Sequence, residues 1–227
     1  MKTLIALICT QLLISNSAFA QSGVPKISAG GGMGLQGHAG AGFADFTTQS
    51  PEADFKMDRG VFATVGIERG FNVMNLYLTL SLSNLQANGL SKYQYTNLSN
   101  SNSYSANDVK FSDSILDLGL GLKIKLIDKY WFRPYVEGGG LGGYHAINYT
   151  SKLETLAAQG NDYKGKDQVM GSGYYAEGGL EAMFSDRFGL KLGARRSNYE
   201  TKALETLANR ALKFSVETYY FSLLFGM

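Results

Sequence analysis

The sequence predicts an all-β protein, an eight-stranded antiparallel up-and-down transmembrane β-barrel, and three observations support this prediction. Bulky aliphatic side chains occupy every second position from Leu116 to Leu126, apolar and polar residues alternate in eight segments, and the connections between these segments are alternately long and short. A period of two is the signature of an extended strand with one apolar and one polar face. A barrel that closes on itself satisfies its backbone groups in lipid and leaves no free edge.

The first 20 residues have the features of a secretory signal peptide. Lys2 gives a positive start, an apolar run follows at residues 4–14, and Ala18 and Ala20 form a small-x-small cleavage site. We therefore expect a signal peptide at residues 1–20 and one barrel domain at residues 21–227. The single cysteine, Cys9, falls within the signal peptide, so we expect neither disulfides nor thiolate chemistry in the mature chain.

The clearest strand comprises residues 114–127. Leu118, Leu120 and Leu122 alternate there with Asp117, two glycines and Lys123. A membrane strand needs roughly nine to eleven residues to cross the hydrocarbon at a tilt, and this segment is long enough. The leucine face is expected to contact lipid, and the charged face is expected to line the lumen.

Similar alternation defines the other strands. The eight expected strands are residues 26–44, 60–69, 74–96, 114–127, 131–149, 170–184, a strand that starts at residue 188, and residues 212–227. Long polar connections are expected at residues 46–58, 97–108 and 151–168, with tight turns near residues 70–72, 128–130 and 185–187. Because long loops face the cell exterior in such barrels, the even strand count places both termini in the periplasm.

The last strand contains a change of phase. Leu212, Phe214 and Val216 place even-numbered residues on the apolar face, whereas Tyr219 and Phe221 place odd-numbered residues there. If the apolar face points to lipid throughout, a β-bulge near residues 218–220 must reconcile the two halves.

Composition suits a barrel and argues against nucleic-acid binding. The chain has 28 Gly, 14 Tyr, 13 Phe and only 3 Pro, and its formal net charge is +2. Glycines and aromatics at this level fit curved strands and interfacial girdles. The small net charge gives no electrostatic footprint for nucleic acid, so no nucleic-acid partner is expected.

Charged residues on the lumen side are expected to form a buried network. An eight-stranded barrel is only wide enough for its own side chains, and unpaired buried charges are costly, so acids and bases should pair across the interior. The expected members are Glu68, Asp117, Lys123, Lys125, Arg133, Glu137, Glu177, Glu181, Lys191 and Arg195. A plugged structural core is the preferred interpretation, and a small ion-conducting path through the same charges is the alternative.

We expect no catalytic, cofactor-binding or metal-binding residues. The only histidines, His38 and His145, face inward by the alternation, and no metal-ligand spacing is present. The glycine runs at residues 30–34 and 138–143 lie inside strands, where they indicate bends or close packing rather than a nucleotide cradle.

An internal repeat supports the alternating topology. Residues 148–157 match residues 198–208 with one inserted alanine, and each copy follows a strand of the same direction. Both copies are therefore expected on the same face of the barrel, where the shared Leu-Glu-Thr-Leu-Ala element would form a short helical turn. Loop closure and a recognition surface both remain possible roles.

The motif Arg-Pro-Tyr-Val-Glu-Gly-Gly-Gly-Leu-Gly-Gly-Tyr at residues 133–144 and Phe-Gly-Leu-Lys-Leu-Gly-Ala-Arg-Arg at residues 188–196 resemble the OmpA/OmpX-type outer-membrane β-barrel domain superfamily. The resemblance implies the outer membrane of a Gram-negative bacterium, with outer-membrane lipid, lipopolysaccharide and the barrel-assembly machinery as partners. That machinery reads an aromatic C-terminal strand. Here Tyr219, Phe221, Leu223, Phe225 and Met227 resemble its signal, with Met where an aromatic residue is usual.

The expected function is that of a non-enzymatic outer-membrane β-barrel protein with a structural or surface-interaction role, in which extracellular loops contact an external ligand. A narrow pore or conduit for ions or small hydrophobic molecules is the alternative. A lipid A-modifying barrel enzyme is a weaker third possibility, because it would need a histidine with a serine and an acid near the outer leaflet.

Overall fold

The computed structural model describes residues 35–48, 55–71, 75–96, 101, 103–127, 131–149, 165–185, 187–204 and 210–226. Nine β-strands are present in these ranges: β1 (Leu35–Thr48), β2 (Phe55–Met57), β3 (Gly60–Gly70), β4 (Leu76–Thr96), β5 (Ser103–Lys125), β6 (Phe132–Tyr149), β7 (Lys166–Ser185), β8 (Phe188–Leu204) and β9 (Arg210–Gly226). The expected signal peptide and residues 26–34 of the first expected strand lie outside the described residues.

Eight of these strands form a closed antiparallel ring in the order β1, β3, β4, β5, β6, β7, β8, β9. Closure occurs where β1 pairs with both β3 and β9, from Gln36 opposite Gly226 to Thr48 opposite Phe214. The predicted eight-stranded barrel is therefore confirmed. Within the part of the chain that the structure describes, no helix has the length and hydropathy of a membrane span.

The short strand β2 is the continuation of β3 past a bulge. Met57 pairs with Gly89 of β4, whereas Val61 pairs with Gln86, so four steps on one strand match three on the other. The Asp58 amide donates to the Asn88 carbonyl between them and keeps the ladder connected. This pairing occupies residues 55–57 of the predicted loop 46–58.

Side-chain alternation separates lipid from lumen as predicted. On β5, Leu118, Leu120 and Leu122 are 56%, 57% and 51% exposed, whereas Asp117 and Lys123 are buried. The strict period of two arises because each strand has an apolar medium on one side and a narrow interior on the other.

The predicted loop at residues 97–108 is wrong over its second half. β5 begins at Ser103, and the β4–β5 ladder continues to the pair Thr96 and Ser103, with an irregularity between Ser91 and Tyr93. Strand pairing there needs no lipid-facing side chains, because backbone hydrogen bonds and buried interior rings such as Tyr93 support it. The expected loop at residues 151–168 is shortened in the same way, since β7 begins at Lys166.

The predicted bulge near residues 218–220 is also wrong. The β1–β9 register runs without interruption, and Leu212, Phe214 and Val216 are buried inside the barrel. On the same strand Tyr219 and Phe221 face outward. The phase therefore stays constant, and the apolar residues change sides because the interior itself is apolar at this height.

Candidate functional site

The barrel interior near the short turns holds a dense set of ion pairs. Lys123, which projects from β5, donates to Glu68 of β3 and lies 2.8 Å from Glu181 of β7. Lys125 Nζ lies 2.6 Å from Glu68 and 3.1 Å from Glu181, and also donates to Gln36 at 3.2 Å. The four charged side chains are all essentially inaccessible to solvent. Two acids and two bases thus balance each other across three strands.

A second group surrounds Glu177 on β7. Lys191 Nζ lies 2.8 Å from Glu177, and the hydroxyls of Tyr135 and Tyr220 donate to the same carboxylate oxygen. Lys191 also lies over the ring of Tyr135, 4.8 Å from its centroid. Because the remaining bonding capacity of this carboxylate is used by tyrosines, the buried charge is well satisfied.

Glu137 connects the two groups. Its carboxylate lies 3.9 Å from Lys123 and 4.0 Å from Lys191, and it accepts hydrogen bonds of 2.7 Å from both Thr79 and Tyr175. We call the set Glu68, Lys123, Lys125, Glu137, Glu177, Glu181 and Lys191 the ionic cluster. Seven of the ten residues that the sequence predicts for the lumen network lie in it.

Two of the other predicted members, Arg195 and Arg133, lie at its borders. Arg195 is buried and stacks over the ring of Tyr175 at 3.9 Å, while its Nε donates to Ser197. Arg133 is half-buried and lies directly opposite Glu181 in the β6–β7 register, near the turns.

Asp117 belongs to a separate layer nearer the long connections. It accepts a hydrogen bond from the hydroxyl of Tyr199 across the lumen. Close by, His145 Nδ1 lies 3.2 Å from Asp113 Oδ2, with both side chains fully buried. The imidazole also packs edge-on against the ring of Phe214 at 5.6 Å. His145 is therefore buried in the barrel interior, where its imidazole ring is not accessible to a substrate.

Farther toward the loops the interior is mainly apolar, with the buried side chains of Asp113, Asp167 and Ser91 at the same height. The residues that fill it, here called the apolar plug, are Phe62, Leu85, Tyr93, Val109, Phe111, Ile115, Ile147, Tyr149, Val169, Leu204, Leu212, Phe214 and Val216. Aromatic rings pack in pairs in and around the plug: Tyr199 is stacked on Phe214 at 5.0 Å, and Tyr93 lies edge-on to Tyr149 at 5.4 Å. The described interior is thus polar toward the turns and closed by hydrophobic packing toward the loops.

Sequence reasoning missed this plug. It treated each apolar stripe as lipid-facing, although continuing the outward phase of Phe225 back along β9 places Phe214 and Leu212 inside. Among the described residues no group of His, Cys, Asp and Glu is arranged to hold a metal ion. His38 is half-buried on β1, away from His145, and packs beside Gly66.

The outer surface of the barrel carries a band of exposed apolar side chains, here called the apolar belt. Its members include Leu78, Leu80, Leu118, Leu120, Leu122, Ile124, Val136, Leu180, Leu192, Phe221 and Leu223. Exposed aromatic residues border it toward the turns (Phe71, Trp131, Phe132, Phe184, Phe188 and Phe225) and toward the loops (Phe43, Tyr144, Tyr174 and Tyr219). A lipid-facing band between two aromatic girdles is the usual exterior of a transmembrane barrel.

Comparison with known proteins gives matches at the level of structure only. No family model and no curated protein sequence matches the chain. Neisserial surface protein A matches with a TM-score of 0.53 at 10% identity, covering 84% of this chain and 96% of that one. The attachment invasion locus protein Ail of Yersinia pestis, solved with the heparin analogue sucrose octasulfate, gives 0.49 at 9% identity, covering 86% and 100% of the two chains. The N-terminal barrel domain of Pseudomonas aeruginosa OprF gives 0.42 at 15% identity, covering 87% and 99%.

The fold assignment rests on the ring of eight strands together with the similarity to the Neisserial barrel. The girdled apolar belt and the filled interior agree with that fold. The chain therefore has an eight-stranded antiparallel β-barrel fold similar to that of Neisserial surface protein A.

Proposed function

We propose that this chain is a non-enzymatic outer-membrane protein of a Gram-negative bacterium, in which a closed barrel anchors a raised surface for interaction with the cell exterior. The observation that carries the proposal is the combination of a filled interior with strands that continue far past the apolar belt. A filled interior favours a membrane anchor over a pore. Strands that extend well past the apolar belt favour a role outside the membrane.

The height of the β4–β5 hairpin can be estimated from its register. The last belt leucine on β4 is Leu82, and the strand continues through residues 84–96, paired with β5 up to Ser103. At about 3.3 Å per residue and a tilt of about 40°, this segment rises about 30 Å above the belt. Such a hairpin extends beyond the lipid headgroups, where it can bind an external ligand.

In the proposed topology the long connections are outside the cell and both termini are in the periplasm. Its test uses single cysteines in the mature chain. Ser101→Cys at the tip of the β4–β5 hairpin should react with an impermeant maleimide in intact cells, and Arg187→Cys in the short β7–β8 turn should react only after the outer membrane is ruptured. The reverse labelling pattern would refute the proposed orientation.

A narrow pore is the second candidate, because the ionic cluster provides a polar interior toward the turns. The apolar plug argues against it, since an ion would have to pass between closely packed buried side chains. A lipid A-modifying enzyme is supported less well, because His145 is enclosed between Asp113 and aromatic rings rather than facing lipid. Single-channel recording of the refolded protein separates anchor from pore: a closed barrel gives no reproducible conductance steps.

A further inference from the structure

Polar side chains around Asp117 and His145 lie between the ionic cluster and the apolar plug, and their hydrogen bonding is incomplete. The Oδ1 atom of Asp117 and the Nε2 atom of His145 are both inaccessible to solvent, and neither has a hydrogen-bond partner among the described residues. Buried polar atoms in folded proteins nearly always have a partner, and an enclosed water molecule supplies it where the protein does not. Two such atoms in one layer therefore indicate a ligand that they share.

Two glycines bring these two atoms to the same place on the barrel wall. Gly143 on β6 lies opposite Asp117 of β5 on one side and opposite Gly171 of β7 on the other. A Cβ atom on Gly143 would be 2.6 Å from Asp117 Oδ1 and 3.6 Å from His145 Nε2, and a Cβ atom on Gly171 would be 3.0 Å from the same nitrogen. The oxygen and the nitrogen are therefore close neighbours over bare backbone, without a direct hydrogen bond between them.

The hydrogen bonds that are already present determine what kind of ligand fits. His145 Nδ1 lies 3.2 Å from Asp113 Oδ2. A carboxylate only accepts, so Nδ1 is the donor of this pair, and a neutral ring then presents Nε2 as an acceptor. Asp117 accepts from the hydroxyl of Tyr199 through Oδ2, and its Oδ1 is an acceptor as well. The shared ligand must therefore be small and donate two hydrogen bonds.

A water molecule meets both requirements. It donates twice, and it commonly bridges polar atoms that are too far apart for a direct hydrogen bond. A metal ion would need more protein ligands, and across the described ranges no group of His, Cys, Asp and Glu is arranged to hold one.

We infer that His145 Nε2 and Asp117 Oδ1, over the backbone of Gly143 and Gly171, form a binding site for one buried water molecule that positions the adjacent rings of the plug. The water completes a hydrogen-bonded chain that runs from Asp113 through His145 and Asp117 to Tyr199. This chain joins β5, β6 and β8 across the barrel interior.

Both ends of the chain support the same aromatic ring of the plug. Tyr199 is stacked on Phe214 of β9 at 5.0 Å, and His145 lies edge-on to Phe214 at 5.6 Å. Because the water fixes the imidazole relative to the Asp117 carboxylate, it also fixes the two rings that flank Phe214. The inference rests on the closed interior of the proposed function and is independent of the orientation of the barrel.

The test uses nuclear magnetic resonance of the refolded full-length mature chain, labelled with ¹⁵N-histidine and ¹³C-phenylalanine in deuterated detergent. A long-lived water gives a cross-peak between the water signal and the carbon-bound ring protons of His145, and the ¹⁵N shift of Nε2 shows whether this nitrogen accepts a hydrogen bond. His38→Gln removes the only other histidine and so assigns the signals. In Tyr199→Phe the cross-peak should remain, because its source is the water and not the hydroxyl.

Gly143→Ala and Gly171→Ala each place a methyl group against the bonding atoms, and the control is Gly142→Ala on the lipid side, where a Cβ atom meets nothing within 4 Å. All three should keep the change in gel mobility on heating that marks a folded barrel. The two interior variants should lose the water cross-peak, and their Nε2 shift should move toward that of a nitrogen without a hydrogen bond. The ring signals of Phe214 should shift in these two variants and stay unchanged in the control.

A wild-type barrel without the cross-peak would overturn the inference, and so would a cross-peak that survives in both interior variants. A wild-type Nε2 that carries a proton would show a direct bond from the imidazole to Asp117 and would also overturn it. Unchanged Phe214 signals in the interior variants would refute the positioning role. If the water is missing and the wild-type barrel still gives no conductance steps, only the water site fails, whereas reproducible steps would refute the closed interior itself.

Discussion

Lys191 on β8 and Glu177 on β7 form a fully buried ion pair, with 2.8 Å between Nζ and Oε1, in the middle of the barrel. Glu177 receives two tyrosine hydroxyls as well, so its charge is compensated from three strands. Removal of one partner from such a pair leaves the other charge uncompensated in a medium of low polarity.

Glu177→Gln should therefore lower the free energy of unfolding by about 3 to 5 kcal/mol. Adding Lys191→Met to this variant should recover part of the loss, because the orphaned charge is removed. The measurement is urea unfolding in lipid vesicles, with Glu200→Gln as the control in an exposed pair. If Glu177→Gln is no more harmful than Glu200→Gln, water already screens the ionic cluster, and the pore candidate gains support.

The position of an outward-facing residue along β5 should determine how strongly an arginine substitution destabilises the barrel. Leu120 lies in the apolar belt, and Ser114 faces outward on the same strand nearer the loops, opposite Gln86. Leu120→Arg should cost roughly 2 to 4 kcal/mol, and Ser114→Arg roughly 0 to 1 kcal/mol. The yield of heat-modifiable folded barrel in vesicles measures the difference, and equal yields would contradict the assigned position of the belt.

The apolar plug should keep the wild-type barrel electrically closed. Phe111→Ala together with Phe214→Ala removes two rings from it, so water can enter and brief conductance steps should appear. Leu118→Ala removes a similar apolar side chain from the lipid face and should leave the barrel closed. Reproducible wild-type steps whose size changes with Lys123→Met would instead identify a conducting path through the ionic cluster.

The C-terminal strand should govern the rate of assembly. Phe188 and Phe225 are paired neighbours on the lipid face, with ring centroids 5.9 Å apart, but only Phe225 belongs to the expected assembly signal. Phe225→Ala should slow insertion by the assembly machinery markedly more than Phe188→Ala, although both lose one aromatic contact. Met227→Phe, which restores the usual aromatic end, should speed insertion. Pulse-chase appearance of the heat-modifiable form measures all three, and equal rates for the two alanine variants would argue against a signal in β9.

The sequence predicts the membrane-embedded part of this fold well, because lipid imposes a strict physical rule on it. Leu118, Leu120 and Leu122 must all face hydrocarbon, so their period of two fixes both the strand and its orientation. The same rule places Glu177 and Lys191 inside, although only the folded barrel shows which acid meets which base. Pairing partners depend on the stagger of the strands around the ring, and alternation along one strand carries no information about it.

Outside the membrane that rule no longer applies, and the predictions fail there. Residues 103–108 carry no apolar stripe, yet they form strand, because the ladder with β4 satisfies their backbone without lipid contact. The prediction that Phe214 faces lipid is wrong, because above the belt an apolar side chain is buried in the barrel interior and not in the membrane. Lys213 and Glu217, charged odd-numbered residues of the same strand, were the available signal that the even-numbered residues face inward.

The reversal of the apolar face between belt and plug also fixes the depth of the barrel in its membrane. If the barrel sank by two residues, about 5 Å, the outward side chain of Asn84 would enter the hydrocarbon. If the barrel rose by the same amount, leucines of the belt would be exposed to water, and the plug would gain no new contacts. Vertical sliding is therefore penalised in both directions by residues on the same strands. The β4–β5 hairpin consequently keeps a constant height above the apolar belt.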